Sequence, residues 1–251
     1  ALLLVLGVLI SVVPARAQWS ASGVAVCTAN GVRSRVAIAT DGHQGAFVGW
    51  TDYRVSILQG DVYVAHVDSN GVVDPGWPAQ GLLLTPVSGD QTLMAQLSDD
   101  QGGVYAAWGE GSAAGNNSVL YLQRVTALGT IASGWPVAGL RVSPGVVYGF
   151  PQCDLEPDGA GGAYVSRTST SSYGVFVHRV DADGQWHAGW PSAGVNVGSA
   201  YWYDRGRVVA APSGGCYVVS TDIYGVKQFR LAGDGSVAPG WPAFSMTQSA
   251  G

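Results

Sequence analysis

The sequence predicts an all-β chain, a β-propeller of four-stranded blades. Three observations predict it: an internal repeat of 51 to 58 residues, β-type patterning within every repeat, and a proline-bearing outer element. The repeat is marked by Gly76-Trp77-Pro78, Gly134-Trp135-Pro136, Gly189-Trp190-Pro191 and Gly240-Trp241-Pro242, with Trp19-Ser20 opening a fifth copy. Successive tryptophans stand 58, 58, 55 and 51 residues apart. Four copies continue to a glycine and an apolar residue, at Gly23-Val24, Gly81-Leu82, Gly139-Leu140 and Gly194-Val195. Other columns keep the same order. A glycine precedes an apolar run at Gly45, Gly103, Gly162 and Gly215, with Phe47, Tyr105, Tyr164 and Tyr217 two residues on. A turn glycine stands six residues before each later Trp, at Gly71, Gly129, Gly184 and Gly235.

Each unit reads as strands A to D. Strand A is typified by Arg35-Val36-Ala37-Ile38-Ala39, and a turn such as Asp158-Gly159-Ala160-Gly161-Gly162 leads into strand B. Strand B is apolar on both faces, as in Val104 to Trp108, which suits a sheet covered on both sides. Strand C is typified by Leu120 to Val125. Strand D is read as carrying the Trp and its proline, and proline lacks a ladder donor, so D belongs at the outer edge. No unit has helical spacing, and β-branched and aromatic residues dominate. Residues 29–86, 87–144, 145–199 and 200–251 make four complete units, and 18–28 an orphan outer strand. The expected form is an incomplete ring, an open arc with apolar faces at both ends. A β-sandwich array or a solenoid of the same repeat stays open.

Hydrophobic residues at 47% and charged residues at 12% suffice for a core and argue against disorder. The net charge of −5 and the lack of any Lys/Arg run exclude nucleic acid and anionic membrane surfaces as expected partners. Leu2 to Val13 is apolar and is followed by Pro14 and Ala15-Arg16-Ala17, the pattern of a signal peptide over 1–17 cut before Gln18. No later segment is long and apolar enough to span a bilayer. Cys27, Cys153 and Cys216 make no framework and read as small buried hydrophobes, though one pair could form across neighbouring units.

At these residues the chain resembles a repeat family common in exported bacterial proteins. Its units run Asp-Gly-x-Gly-Gly, an apolar strand, Trp-x-Asp-x-Arg, a strand ending Gln-Arg-Val, then Trp-x-x-x-Gly-Val. Asp41 with Trp50-Thr51-Asp52-Tyr53-Arg54, Tyr121-Leu122-Gln123-Arg124-Val125, and Trp19 with Gly23-Val24-Ala25-Val26-Cys27 carry the likeness. The resemblance implies a propeller-like fold and export, and no single activity. Unit 4 departs most, with Ala211 for the turn Asp and Ser220 for the strand-B Trp.

The recurring Asp41, Asp99 and Asp158 read as caps of their own turns. Asp181-Ala182-Asp183-Gly184 and Asp68-Ser69-Asn70-Gly71 lack the spaced carboxylates of a calcium loop and read as hairpin turns. His66, Arg124, Arg179 and Arg230 share one register of strand C and read as solvated or locally paired. No metal, phosphate or nucleophile motif occurs, so neither cofactor nor metal is expected. A sialidase-type Asp-box fails on spacing. Asn116-Asn117-Ser118 fits a glycosylation sequon.

The distance from Trp to the next strand-B glycine is nearly constant at 26, 26, 27 and 25 residues, whereas the B–C connection shrinks through 13, 13, 9 and 7. Variable loops on a constant scaffold are where binding usually sits. Candidate ligand-binding residues on that face are Asp52, Arg54, Glu110 and Asn116 from B–C loops, with Tyr148, Tyr201, Trp202, Tyr203, Asp204 and Arg205 from D–A segments. The expected function is a non-enzymatic exported scaffold or binding module for a protein or glycan surface. The alternative is a polysaccharide hydrolase or lyase with a cleft on the B–C/D–A face. Export is testable at once: mass spectrometry of the mature protein should give an N-terminus at or near Gln18. A folded soluble product that keeps Leu2 to Val13 would refute it.

Overall fold

The computed structural model describes residues 22–111, 118–143, 152–169, 174–199, 206–222 and 224–242. Residues 1–17, read from the sequence as a signal peptide, and Trp19 fall outside them. Every named element is a strand. Blade 1 is β1 (Arg33–Thr40), β2 (Ala46–Ser56), β3 (Gln59–Val67) and β4 (Leu82–Leu83). Blade 2 is β5 (Asp90–Ser98), β6 (Val104–Gly111), β7 (Ser118–Val125) and β8 (Leu140–Arg141). Blade 3 is β9 (Cys153–Pro157), β10 (Ala163–Ser169), β11 (Gly174–Val180) and β12 (Val195–Ser199). Blade 4 has β13 (Arg207–Ala210), β14 (Cys216–Asp222) and β15 (Gly225–Leu231), and the place of its fourth strand lies past the described residues. Each sheet is an antiparallel meander in chain order. Equivalent bridges, Val67 to Val73, Val125 to Ile131, Val180 to Trp186 and Leu231 to Val237, close the C–D turn in all four.

The innermost strands stack in series, β1 on β5, β5 on β9 and β9 on β13. Among the described residues no comparable packing joins β13 to β1. Val36 and Ile38 of β1 are 72% and 70% exposed and Val209 of β13 is 51% exposed, so the blades form an arc with apolar side chains free at its ends. Three cores fill the three interfaces. Phe47, Val62 and Val64 meet Leu93, Ala106 and Trp108; Leu120 and Leu122 meet Leu155 and Val165; Val175 and Val177 meet Cys216 and Val218. Leu120 and Leu122 are wholly buried, and each contributes about 1.5–3 kcal/mol by leaving water.

Two readings of strand D are corrected. Trp77 lies in the turn five residues before β4, not on the strand. Its amide bonds to Asp74 O, as those of Trp135, Trp190 and Trp241 bond to Ala132, His187 and Ala238. The proline belongs to that turn, and the edge strand is only a two-residue stub in blades 1 and 2. Residues 22–28 form no strand either. No described strand offers them the strand-C partner that the other copies have, and Thr28 N and Ala29 N bond instead to Gln80 Oε1, both at 2.8 Å.

The turn tryptophans join successive blades. Trp77 Nε1 donates to Ala127 O at 3.0 Å, Trp135 Nε1 to Ala182 O at 2.9 Å and Trp190 Nε1 to Gly233 O at 2.9 Å. Each ring lies against the turn glycine of the next blade. A Cβ on Gly184, whose φ is +80°, would sit 3.1 Å from Trp135 Cδ2. Glycine is required there twice, by backbone conformation and by the ring. Trp135→Ala should therefore destabilise the chain by about 3–5 kcal/mol in urea unfolding. Trp135→Phe, which keeps a ring and loses the donor, should cost about 1 kcal/mol. Equal losses for the two would remove the hydrogen bond from the account.

Candidate functional site

The two ends of the blades differ chemically. At the turn end, polar groups are spent on latching. Asp99 Oδ1 accepts from the amides of Gln101 and Gly103, and its Oδ2 pairs with Arg124. Asp158 does the same with Ala160, Gly162 and Arg179, and Asp41 with His43, Gly45 and His66. A Cβ on Gly103 would come within 2.4 Å of Val125 O and 2.5 Å of Asp99 Oδ2, which explains that glycine column. Arg124 Nη1 continues to Ala182 O of the next blade at 2.9 Å, and Tyr105 Oη donates to Gly161 O at 2.7 Å. The open groove between blades 2 and 3 at this end is lined by these same residues, Asp99, Arg124, Ala182 and Asp183 among them.

Towards the loop end, strand B carries Trp50, Trp108, Arg167 and Ser220 in one register. In blade 1 the Trp-x-Asp-x-Arg run folds into a closed cluster. Asp52 is completely buried. It accepts from Trp50 Nε1 at 2.8 Å, Arg54 Nη2 at 2.6 Å, Arg33 Nε at 3.2 Å and the Arg54 amide at 2.8 Å. Burial acts to raise the Asp52 carboxyl, but the bonds from Arg54 and Trp50 outweigh it and hold its pKa at about 2. Arg54 also donates to Gln80 O at 2.9 Å and lies 3.9 Å over the Tyr63 ring, which stacks on Trp50. Asp52 and Arg54, expected as ligand groups, pair with each other here: each is the other's counter-ion, and the indole takes a further lone pair of Asp52.

Blade 2 keeps the indole and loses the neutralisation. Trp108 is buried, stacks on Tyr121 at 5.7 Å, and its Nε1 has no acceptor among the described residues. Glu110 stands where Asp52 does, half-buried, with no cation on it among the described residues, and burial raises its carboxyl above the usual range. Blade 3 has the opposite half: Arg167 replaces the Trp and is buried with no carboxylate on it among the described residues. Arg167 was not an expected site residue, and its only signal in the sequence is its departure from the Trp column. In blade 4 Asp222 pairs with Lys227 and accepts from Ser199 Oγ of blade 3 at 3.1 Å.

A cavity of about 200 Å³ opens where the innermost strands begin, lined by Arg35, Val36, Leu93, Met94, Gln152 and Cys153. Bulges between Ser34 and Ala37 and between Leu93 and Ala95 shape its wall, and Arg35 there has φ +52°. Asn116, Tyr148, Tyr201, Trp202, Tyr203, Asp204 and Arg205 lie outside the described residues. No disulfide joins Cys27, Cys153 or Cys216 to one another. Among the described residues no cluster of three or more His, Cys, Asp or Glu is disposed to hold a metal, and no helix is long and apolar enough to cross a membrane.

No known protein family and no curated protein matches the chain. Solved structures do. The Hadza microbial sialidase Hz136 superposes with a TM-score of 0.51 at 10% identity, over 83% of this chain and 45% of its own. A Dyadobacter fermentans protein of unknown function gives 0.47 at 12% identity, over 87% and 71%. The Phanerochaete chrysosporium exo-β-1,3-galactanase gives 0.44 at 13% identity, over 91% and 52%. The sialidase likeness shows the fold, a β-propeller, of which this chain spans under half that protein's length.

The Asp52 cluster makes a pH-dependent contribution. A carboxyl depressed from 3.8 to about 2 adds stability that is present above its ordinary value and is lost as pH falls through about 2. Asp52→Asn should cost about 1–3 kcal/mol at pH 7, the range for hydrogen bonds to a charged group. The gap between variant and parent should close towards pH 2 in urea titrations. A gap independent of pH would contradict the assignment.

Proposed function

We propose that this chain is an exported, non-enzymatic propeller module that binds glycan through its loop end. The carrying observation is the contrast between the two ends: turn-end polar groups are spent on latching blades, whereas Glu110 and Arg167 at the loop end have no internal counter-ion among the described residues. The cavity between the bulged strands lies at the same end. The signal-like segment 1–17 and the resemblance to exported bacterial repeats support export. Glycan is favoured over a protein surface because the structure it superposes on with a TM-score above 0.5 is a sialidase by name. One observation favours the hydrolase reading: a carboxyl raised by burial, as at Glu110, is what a general acid needs.

Soluble glycans should be screened against the full chain, with Glu110→Gln and, as a control on the exposed C–D turn, Leu128→Ser. A glycan should bind the parent and the control alike and bind Glu110→Gln at least tenfold more weakly. Binding that ignores Glu110→Gln removes Glu110 from the site, and no binding to any glycan defeats the glycan reading. Turnover above background that Glu110→Gln abolishes would replace the binding module with the hydrolase.

A further inference from the structure

Arg167 is 3% exposed, and its described partners are all neutral. Nε donates to His178 Nε2 at 3.0 Å, Nη2 donates to Ala193 O at 3.0 Å, and the guanidinium lies 4.3 Å over the Phe176 ring. Nη1 donates to no group among the described residues. His178 brings no charge: burial, and then Arg167 itself, hold its pKa well below the usual range. Burial pulls Arg167 down to about 10, which leaves it charged at neutral pH. Three other arginines of the repeat face a carboxylate, whereas Arg230, at the turn end of blade 4, has Ser213 instead. Arg54 faces Asp52, Arg124 faces Asp99 and Arg179 faces Asp158. A buried charge without a counter-ion costs several kcal/mol.

Packing does not demand this arginine. Blades 1 and 2 put an indole at the same position, and Gly81 and Gly139 make room for it, since a Cβ there would meet Trp50 and Trp108 at 2.5 and 2.4 Å. In blade 3 the corresponding Gly194 faces His178 instead, at 2.6 Å. Two positions differ together: Trp gives way to Arg167, and the neighbour that is Ala65 or Gln123 in blades 1 and 2 is His178. The imidazole fills the indole's place over the glycine, and its Nε2 holds the guanidinium. Arg167 therefore sits in a slot that is filled and oriented, with no anion on it among the described residues. Its strand partner Cys153 lines the loop-end cavity.

We infer that the Arg167 slot, on the face of blade 3 towards blade 2, is a subsite for the carboxylate of an acidic sugar. The free Nη1 edge takes the carboxylate, whose planar geometry a guanidinium fork matches. Phe176 backs the guanidinium, and His178 and Ala193 fix its plane. This subsite rests on the reading of the loop end as a glycan-binding face.

Titration calorimetry of the full chain with D-glucuronate, against D-glucose and acetate, tests it. Glucuronate should bind at least tenfold tighter than either. Arg167→Met should lose at least tenfold. The double variant Arg167→Trp with His178→Gln restores the pair that blade 2 carries at Trp108 and Gln123, so it should fold and also lose binding. Binding should persist at about 0.5 M salt, because buried pairs are screened much less than surface ones. Glucuronate binding unchanged in the double variant overturns the subsite, as does loss of binding in high salt. Acetate as tight as glucuronate overturns the sugar assignment. No glucuronate binding overturns the subsite alone if a neutral glycan still binds in a Glu110-dependent way; failure of every glycan overturns the loop-end reading beneath it.

Discussion

One carbonyl in each C–D turn holds the arc together. Ala182 O receives both Trp135 Nε1 and Arg124 Nη1 from the preceding blade, and Gly233 O receives Trp190 Nε1 and Arg179 Nη1. Each arginine also grips the turn aspartate of its own blade, so the A–B turn, the C–D turn and the next blade are tied at one point. The demands on sequence follow. The turn must be tight, its glycine must accept both a positive φ and an overlying indole, and the glycine after the aspartate must let the Val carbonyl approach. These are the columns that recur. Because each blade touches only its neighbours, stability accumulates interface by interface, as in other repeat chains.

The latch is complete between blades 2 and 3 and between blades 3 and 4, and thinner towards both ends of the arc. Blade 1 has His66 in place of the arginine. It bridges Asp41 and Asp74, and Ala127 O is left with the Trp77 donor. Blade 4 has Ala211 in place of the turn aspartate. Arg230 turns to Ser213, and its Nε is buried without a partner among the described residues. A missing carboxylate at one position thus leaves an unsatisfied donor 19 residues away in sequence, roughly the cost of a lost charge-assisted hydrogen bond.

Much of the fold was legible because its requirements are local and repeated. Glycines at fixed offsets, a strand B apolar on both faces and the turn aspartates each follow from one steric or hydrogen-bonding need. What misled was Gly-Trp-Pro. Proline near an apolar run suggests an edge strand, but here it shapes a turn, and the indole is spent across the blade interface. The loop end was less legible. Asp52 and Arg54 stood out as a motif, yet residue types do not reveal where lone pairs are spent, and burial turns those two into a closed cluster. Arg167 was visible only as a break in a column, and its meaning needed His178 and Gly194 beside it in space.

The loop end can vary because the turn end does not depend on it. Blade 1 shows a loop end whose carboxylate is fully paired: an indole donor and two guanidiniums converge on the one buried Asp52. Blades 2 and 3 each hold part of that cluster, an acid at Glu110 beside the unsatisfied Trp108 Nε1, and a cation at Arg167. Neither part is stabilising alone, since desolvating one charge is not offset without its counterpart. The latch at the other end of the same blades supplies the stability that tolerates the deficit. Local rules kept at one end and broken at the other, in adjacent blades and at one register, separate the part of the chain that makes the fold from the part available to a ligand.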